Sequence, residues 1–310
     1  MKFLITGAGG FIGKKLTNFL INKNNSVLAL TFNNDLFEFK NKFKDNLDIK
    51  KIDILDKNSI YKILKDFRPD QIFHLAAQSN PTKSWKYSGD TMITNYNGTL
   101  NLLNGIVKFK LKSKLFIFSS SSVYQESKKL ISENSIIEPL TPYALSKLAQ
   151  EKIALIYKNK YKIKLIIVRP FFITGPGKTG DVCSDWASQI VKIEKGEQKI
   201  LKVGNISGII RDFLYIDDFL LAIKKLYLNT ESGIFNVCSA KAVPLDALLN
   251  IFEKKAKKNF KIKKTKSKIR QIDNSVIVGD NKKILNLGWE PKFNIEKIVE
   301  IYLNYYRLNS

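Results

Sequence analysis

The chain has 310 residues, 44% of them hydrophobic, and carries 52 Lys and Arg against 28 Asp and Glu, for a formal charge of +24. This supports a sizeable core; no stretch approaches the roughly 20 apolar residues that span a bilayer, and Met1–Thr6 is too short for the apolar part of a secretory signal. Two cysteines, Cys183 and Cys238, without a C-x-x-C pair, argue against a disulfide scaffold or a thiolate metal site and read as buried filler in a reducing cytoplasm.

Residues 2–6 predict a short buried strand, and Gly7-Ala8-Gly9-Gly10-Phe11-Ile12-Gly13 leads into an amphipathic helix over 11–23. A glycine turn between strand and helix lets main-chain N–H groups approach a pyrophosphate at the helix N-terminus. The spacing of Gly7, Gly10 and Gly13 is G-x-x-G-x-x-G rather than G-x-G-x-x-G. A second strand over 26–31 ends in Thr31-Phe32-Asn33-Asn34. A carboxylate at this point would hold a ribose 2′-hydroxyl. With Thr31 there, and Lys14, Asn33 and Asn34 able to approach a 2′-phosphate, the pattern leans to NADP(H), with NAD(H) also accommodated. A strand over 49–54 carries Asp53 and Ile54 toward an adenine, unless Asp53 serves only as a helix cap or turn residue.

The strand over 71–75 ends in His74-Leu75-Ala76-Ala77; His74, the only histidine, reads as a packed structural group. Further strands are expected over 115–119 and 164–168, with helices over 57–67, 91–109 and 143–159. Strand–helix alternation predicts an α/β, Rossmann-like doubly wound parallel sheet, with its ligand crevice at the carboxyl ends of the strands. Ser120 and Arg169 fall there. After Pro170, Gly175, Pro176, Gly177 and Gly180 mark a loop, and a helical run near 184–196 follows. Residues 1–169 therefore read as a dinucleotide-binding domain. Residues 170–310 read mainly as a smaller α/β substrate-binding region, with segments returning to the sheet. Lysines are spread along the whole chain without a nucleic-acid-binding motif, which disfavours nucleic acid. The run Lys254–Lys268 reads as a solvated helix end and loop, or as a surface that steers an anionic substrate.

Tyr143 and Lys147 form a Tyr-x-x-x-Lys pair, with Ser120 upstream in Phe118-Ser119-Ser120-Ser121-Ser122-Val123-Tyr124. A spacing of four puts phenol and ammonium on one helix face. A free phenol titrates near ~10, and an adjacent cation is expected to bring it down. Such a set can pass a proton to or from a carbinol oxygen while a hydride moves.

Gly7/Gly10/Gly13, His74-Leu75-Ala76-Ala77, Ser120, Tyr143/Lys147 and Arg169-Pro170 occur in the order found in the extended short-chain dehydrogenases/reductases that act on nucleotide sugars, the NAD-dependent epimerase/dehydratase family. The resemblance runs from Lys2 to about Tyr306. Arg169–Gly177, Asp185–Ile190, Lys202–Asn205, Arg211-Asp212-Phe213, Asn236–Ser239 and Arg270–Asp273 are similar to the GDP-4-keto-6-deoxy-D-mannose reductases of that family. The resemblance implies Ser120, Tyr143 and Lys147 as catalytic residues. It implies cofactor contacts from Gly7, Gly10, Phe11, Ile12, Gly13, Thr31, Asn33, Asp53, Ile54, Leu75, Ala76, Ala77, Asn95, Tyr143, Lys147 and Arg169. Ser79, Ser121, Phe171, Phe172, Lys202, Asn205, Arg211, Arg270 and Asp273 are implied for the sugar nucleotide. Of these, Arg211 and Arg270 suit the diphosphate because a guanidinium grips phosphate bidentately. Asn95 and Asn205 equally suit capping or turn formation. The chain departs from the pattern at Gln125, Phe172 and Ile173. Where the dehydratases of the family carry a Glu that removes a C5 proton, Ser121 and Ser122 stand. That disfavours dehydration, and the resemblance implies reduction of a nucleotide-linked, most closely GDP-linked, 4-keto-6-deoxy sugar, with 4-epimerisation on retained NAD as the alternative. The family also implies a homodimer paired through the helices near 91–109 and 143–159, with no metal.

Overall fold

A computed structural model of the chain describes residues 1–21, 24–32, 46–265 and 275–309. Asn33, Arg270 and Asp273 lie outside the described residues. The elements that position the site are β1 (Lys2–Thr6), α1 (Phe11–Leu20), β2 (Ser26–Thr31), β3 (Leu47–Lys51), α2 (Lys57–Phe67), β4 (Gln71–His74), α3 (Pro81–Lys86), α4 (Ser88–Met92), α5 (Gly98–Lys108), β5 (Lys114–Phe118), α6 (Pro142–Tyr161) and β6 (Lys164–Pro170). The strands order as Gly233–Val237, β6, β5, β4, β1, β2, β3, and β1 to β6 run parallel. Such a sheet is covered on both faces, so its strands are almost wholly apolar. One face packs Phe3, Phe73, Phe116 and Tyr227, with Phe73 and Phe116 at 4.7 Å between ring centroids. On the other, Leu4, Leu28, Ile72, Leu115 and Leu165 meet Ile60, Leu64, Leu102 and Ile106 of α2 and α5.

Two elements differ from expectation. The strand expected over 49–54 occupies Leu47–Lys51, because its pairing with β2 starts at Val27↔Leu47. Asp53 then makes a turn, its Oδ1 accepting from Leu55 N at 2.9 Å, and Asp56 caps α2 through Ser59 N. The helix expected over 91–109 is broken into α4, a π-helical turn over Ile93–Asn97, and α5. A π turn inserts one residue per turn and redirects side chains locally; here Asn95 is turned fully inward.

The chain divides into two compact units. The first comprises Met1–Gln125, Ser135–Pro170 and Ile223–Phe235; the second comprises Glu126–Asn134, Phe171–Ala222 and Asn236–Ser310. Within the second unit, Phe172–Thr174 pairs with Phe213–Tyr215, and Ile200–Val203 with Lys261–Lys264. Ile210–Arg211 lies between Val243–Pro244 and Val276–Ile277. The buried Asp212 ties these pieces together, accepting from Ser239 N and Oγ, Ala240 N and Gly279 N at 2.6–3.1 Å. Burial raises its pKa to about 6 despite these bonds.

Candidate active site

The glycine turn separates two roles that the motif alone merges. Gly7 has φ +68°, and a Cβ there would come within 2.5 Å of Ala76 N; a Cβ on Gly13 would collide with Gly7 O. Both are required for β1, α1 and the segment after β4 to approach closely. Gly10 has room for a Cβ, its nearest neighbour being Gly7 O at 3.4 Å. It is the N-cap of α1, offers no side chain to the first-turn amides, and that turn holds no acidic residue. An N-terminus left open in this way fits a pyrophosphate group, so the residues present suit a dinucleotide. Thr31 closes β2 in a buried position, Ile54 packs against Gly98, and Leu75 to Ala77 are partly buried just beyond β4.

Ser120 stands just beyond β5, in extended conformation, and caps the 3₁₀ turn Ser121–Val123. Its Oγ accepts from Ser122 N and donates to Ser122 Oγ, both at 3.1 Å. Thr141 starts α6 by accepting from Ala144 N, with Pro142 at the first helical position, where its missing N–H costs nothing. This fixes Tyr143 in the first turn, where its N–H donates to Ser84 Oγ at 3.1 Å. Lys147, one turn on, drives its ammonium into the sheet, and Nζ donates to Phe118 O at 2.8 Å. Ser120, Tyr143 and Lys147 are all at least nine-tenths buried.

Burial dominates the electrostatics. It lowers Lys147 to about 7, with Glu151 opposing. It raises Tyr143, with the Ser120 hydroxyl opposing. The expectation that Lys147 draws the phenol below its ordinary value is thus corrected: desolvation wins, and the group that pulls Tyr143 down is a serine. His74 is neutral, held near 3 by burial and by the Lys147 charge. Its Nδ1 accepts from Thr6 Oγ1 (2.8 Å), and its Nε2 meets Thr99 Oγ1 (3.0 Å), whose own proton goes to Asn95 O (2.7 Å). That pattern assigns the ring proton to Nε2.

Two expected cofactor contacts have their polar groups engaged inside the protein. The Asn95 carboxamide accepts from Gln78 N (2.8 Å) and donates to Gln78 O (3.2 Å) and Ser146 Oγ (2.8 Å). Ser146 Oγ in turn donates to Tyr143 O at 2.7 Å. Asn95 therefore braces α6 against the segment after β4. Arg169 binds Glu151 bidentately, Nε to Oε1 at 2.9 Å and Nη2 to Oε2 at 2.6 Å, and donates to Tyr124 Oη at 2.7 Å. Glu151 and Ser146 were not singled out from the sequence. Their only signal is helical spacing from Lys147 and Tyr143, and it becomes meaningful once the inward face of α6 is known.

Of the residues expected at the sugar nucleotide, Ser79 is exposed and Ser121 half-buried in the first unit. In the second, Phe171 is core, its ring lying beside Gly279. Phe172 packs edge-on against Phe213, and Lys202 and Asn205 are exposed. Arg211 is buried, with Nη1 donating to Ile210 O and Ser275 O. Among the described residues, no group of His, Cys, Asp or Glu is arranged to hold a metal ion, and no helix is long and apolar enough to cross a membrane.

The chain is 27% identical to GDP-6-deoxy-D-mannose reductase of Pseudomonas aeruginosa, over 98% of this chain and 96% of that protein. It is 30% identical to a putative UDP-glucose 4-epimerase of Methanocaldococcus jannaschii, over 99% of each. The structure of RMD from Pseudomonas aeruginosa complexed with NADPH superposes with a TM-score of 0.85 at 26% identity, covering 100% of this chain and 99% of that one. Reductase and epimerase relatives are thus similarly near. The family model described as GDP-mannose 4,6 dehydratase matches residues 4–302, and the chain belongs to this NAD-dependent epimerase/dehydratase family of nucleotide-sugar-modifying enzymes.

Proposed function

We propose that this protein reduces the C4 keto group of a nucleotide-linked 4-keto-6-deoxy sugar, with GDP-4-keto-6-deoxy-D-mannose as the first candidate and NADPH preferred to NADH. The observation that carries this reading is the buried Ser120/Tyr143/Lys147 set, followed by serines at 121 and 122. A nicotinamide dinucleotide, its pyrophosphate held at the open N-terminus of α1, would supply the hydride. Ser120 Oγ turns its proton from Ser122 to the carbonyl oxygen and polarises it. Tyr143 gives its phenolic proton to the same oxygen as negative charge develops. A phenol raised by burial stays protonated and ready for this direction, and the Lys147 ammonium stabilises the phenolate left behind. Serines at 121 and 122 have no carboxylate to remove a C5 proton, which separates this chemistry from dehydration. The similarity to the GDP-6-deoxy-D-mannose reductase supports the substrate, and the NADPH of the RMD structure supports the cofactor. Arg211 and Arg270 are assigned to the diphosphate.

The second reading, 4-epimerisation on retained NAD, draws on the 30% identity to the putative UDP-glucose 4-epimerase. One experiment separates the two. Purified protein is given freshly made GDP-4-keto-6-deoxy-D-mannose with NADPH or NADH, nicotinamide absorbance is followed, and the product is resolved by NMR. Oxidation with a single 4-hydroxy epimer supports reduction. No oxidation, with NAD retained through purification and UDP-hexoses epimerised without added cofactor, overturns it. We further assign a homodimer paired through α4–α6, because Trp85, Ile93, Leu145 and Ile156 expose apolar surface on or beside these helices. The protein is assigned to the cytoplasm, where Cys183 and Cys238, both buried and free, stay reduced.

A further inference from the structure

The Lys147 ammonium is 4% exposed, and burying a cation without a counter-charge favours its neutral form. The groups around it offer little compensation. His74 on β4 is neutral, Tyr143 on α6 is a protonated phenol, Ser120 does not ionise, and Phe118 contributes a carbonyl. Arg169 on β6 is a second cation. Glu151, 1% exposed and four residues after Lys147 on the same helix, places a carboxylate in this layer.

Its charge cannot swing away. Both carboxylate oxygens are occupied by Arg169 at 2.9 and 2.6 Å, and Arg169 is itself held by the Tyr124 hydroxyl and lies 4.8 Å from the centre of the Tyr124 ring. A pair needed only to fasten α6 to β6 could sit at any inward turn of α6; this one sits at the turn next to the catalytic lysine.

We propose that Glu151 is a positioning residue for Lys147: clamped by Arg169 and Tyr124, it supplies a fixed negative charge, one helical turn away, that favours the Lys147 ammonium against the desolvation of a dry interior. The inference rests on the proposed role of Lys147 in proton transfer.

The test uses the full-length protein, Glu151→Gln, and the double variant Glu151→Gln/Arg169→Met. The double variant also removes the Arg169 guanidinium that Glu151→Gln would strand without its carboxylate. Turnover is measured against pH. In the wild type the alkaline limb falls where Lys147 loses its proton, at about 7. In Glu151→Gln the limb moves to lower pH by about one unit, a tenfold change in proton concentration, and in the double variant, which loses the Arg169 cation together with the anion, it moves by less. A purely structural pair changes the rate or the melting temperature and leaves the limb in place, and an unmoved limb in Glu151→Gln overturns the inference. A second readout needs no substrate. In a thermal double-mutant cycle of Glu151→Gln and Lys147→Met, the two changes are non-additive at about pH 6, where Lys147 is charged, and additive at about pH 9. Additivity at both pH values overturns the inference. An inactive wild type that still shows the pH-dependent coupling overturns the proposed reaction instead.

Discussion

Raising the pH should stabilise this fold through Lys147, and Lys147→Met should abolish that gain. In the unfolded chain the amine titrates at its ordinary 10.5; in the fold it titrates at about 7. The unfolded state therefore binds more protons between these values, and stability rises with pH across the window. The penalty is fully present below about pH 7 and is shed as pH climbs toward 10.5. The whole drop corresponds to roughly 5 kcal/mol at ~1.4 kcal/mol per pH unit, of which about 3 kcal/mol is shed between pH ~6 and ~9. At roughly 2 °C per kcal/mol for a chain of this size, this is a shift of about 5 °C. The assay is melting of wild type and Lys147→Met across that range; subtracting one curve from the other cancels the remaining lysines. The variant's advantage should be greatest at about pH 6 and shrink by about 5 °C by about pH 9. A difference that does not change with pH would refute the reasoning, since Lys147 would then be solvated or fully compensated.

Tyr143→Phe should cut kcat by about 10²–10⁴-fold while leaving nicotinamide binding, read by fluorescence titration, within a factor of two or so of wild type; full activity in this variant would end the proposed mechanism. Gly7→Ala should destabilise by at least about 1–2 kcal/mol from its positive φ alone, with the clash at Ala76 added, and lower the melting temperature. By contrast, Gly10→Asp has room for its Cβ and should keep the fold while weakening dinucleotide binding tenfold or more, because a carboxylate then occupies the anion site; equal losses of stability in the two variants would refute this division of roles. Asn95→Ala should cost about 2–4 kcal/mol by stranding the Gln78 main chain and Ser146, measured by denaturant unfolding, and a loss below about 1 kcal/mol would show that water replaces the brace.

The strands at 2–6 and 26–31, the glycine turn and the Tyr-x-x-x-Lys spacing were legible because each is a local pattern. Apolar runs bounded by turns specify strands, a glycine cluster after the first strand specifies a close turn, and a spacing of four specifies one helix face. The same patterning let His74 be read as structural, and both its ring nitrogens are engaged by threonines. The boundary of β3 was not legible, because pairing with β2 rather than apolarity decides where it begins. Nor was the π-helical turn at Ile93–Asn97, since one extra residue in a helix leaves little trace in a periodicity read over a dozen positions.

By itself, the sequence determined the alternation of strands and helices that builds the parallel sheet, the residues that meet in the first turn of α1, and the family to which the chain belongs, all of which depend on residue type and spacing. The tertiary structure alone decided the charges and the partners. Lys147 is brought to about 7 by burial, and Tyr143 is raised rather than lowered. Arg169 is committed to Glu151 and Tyr124, and Asn95 to Gln78 and Ser146. Desolvation and hydrogen bonding depend on what lies within a few ångströms in space, and those neighbours stand 17 to 51 residues away in the chain.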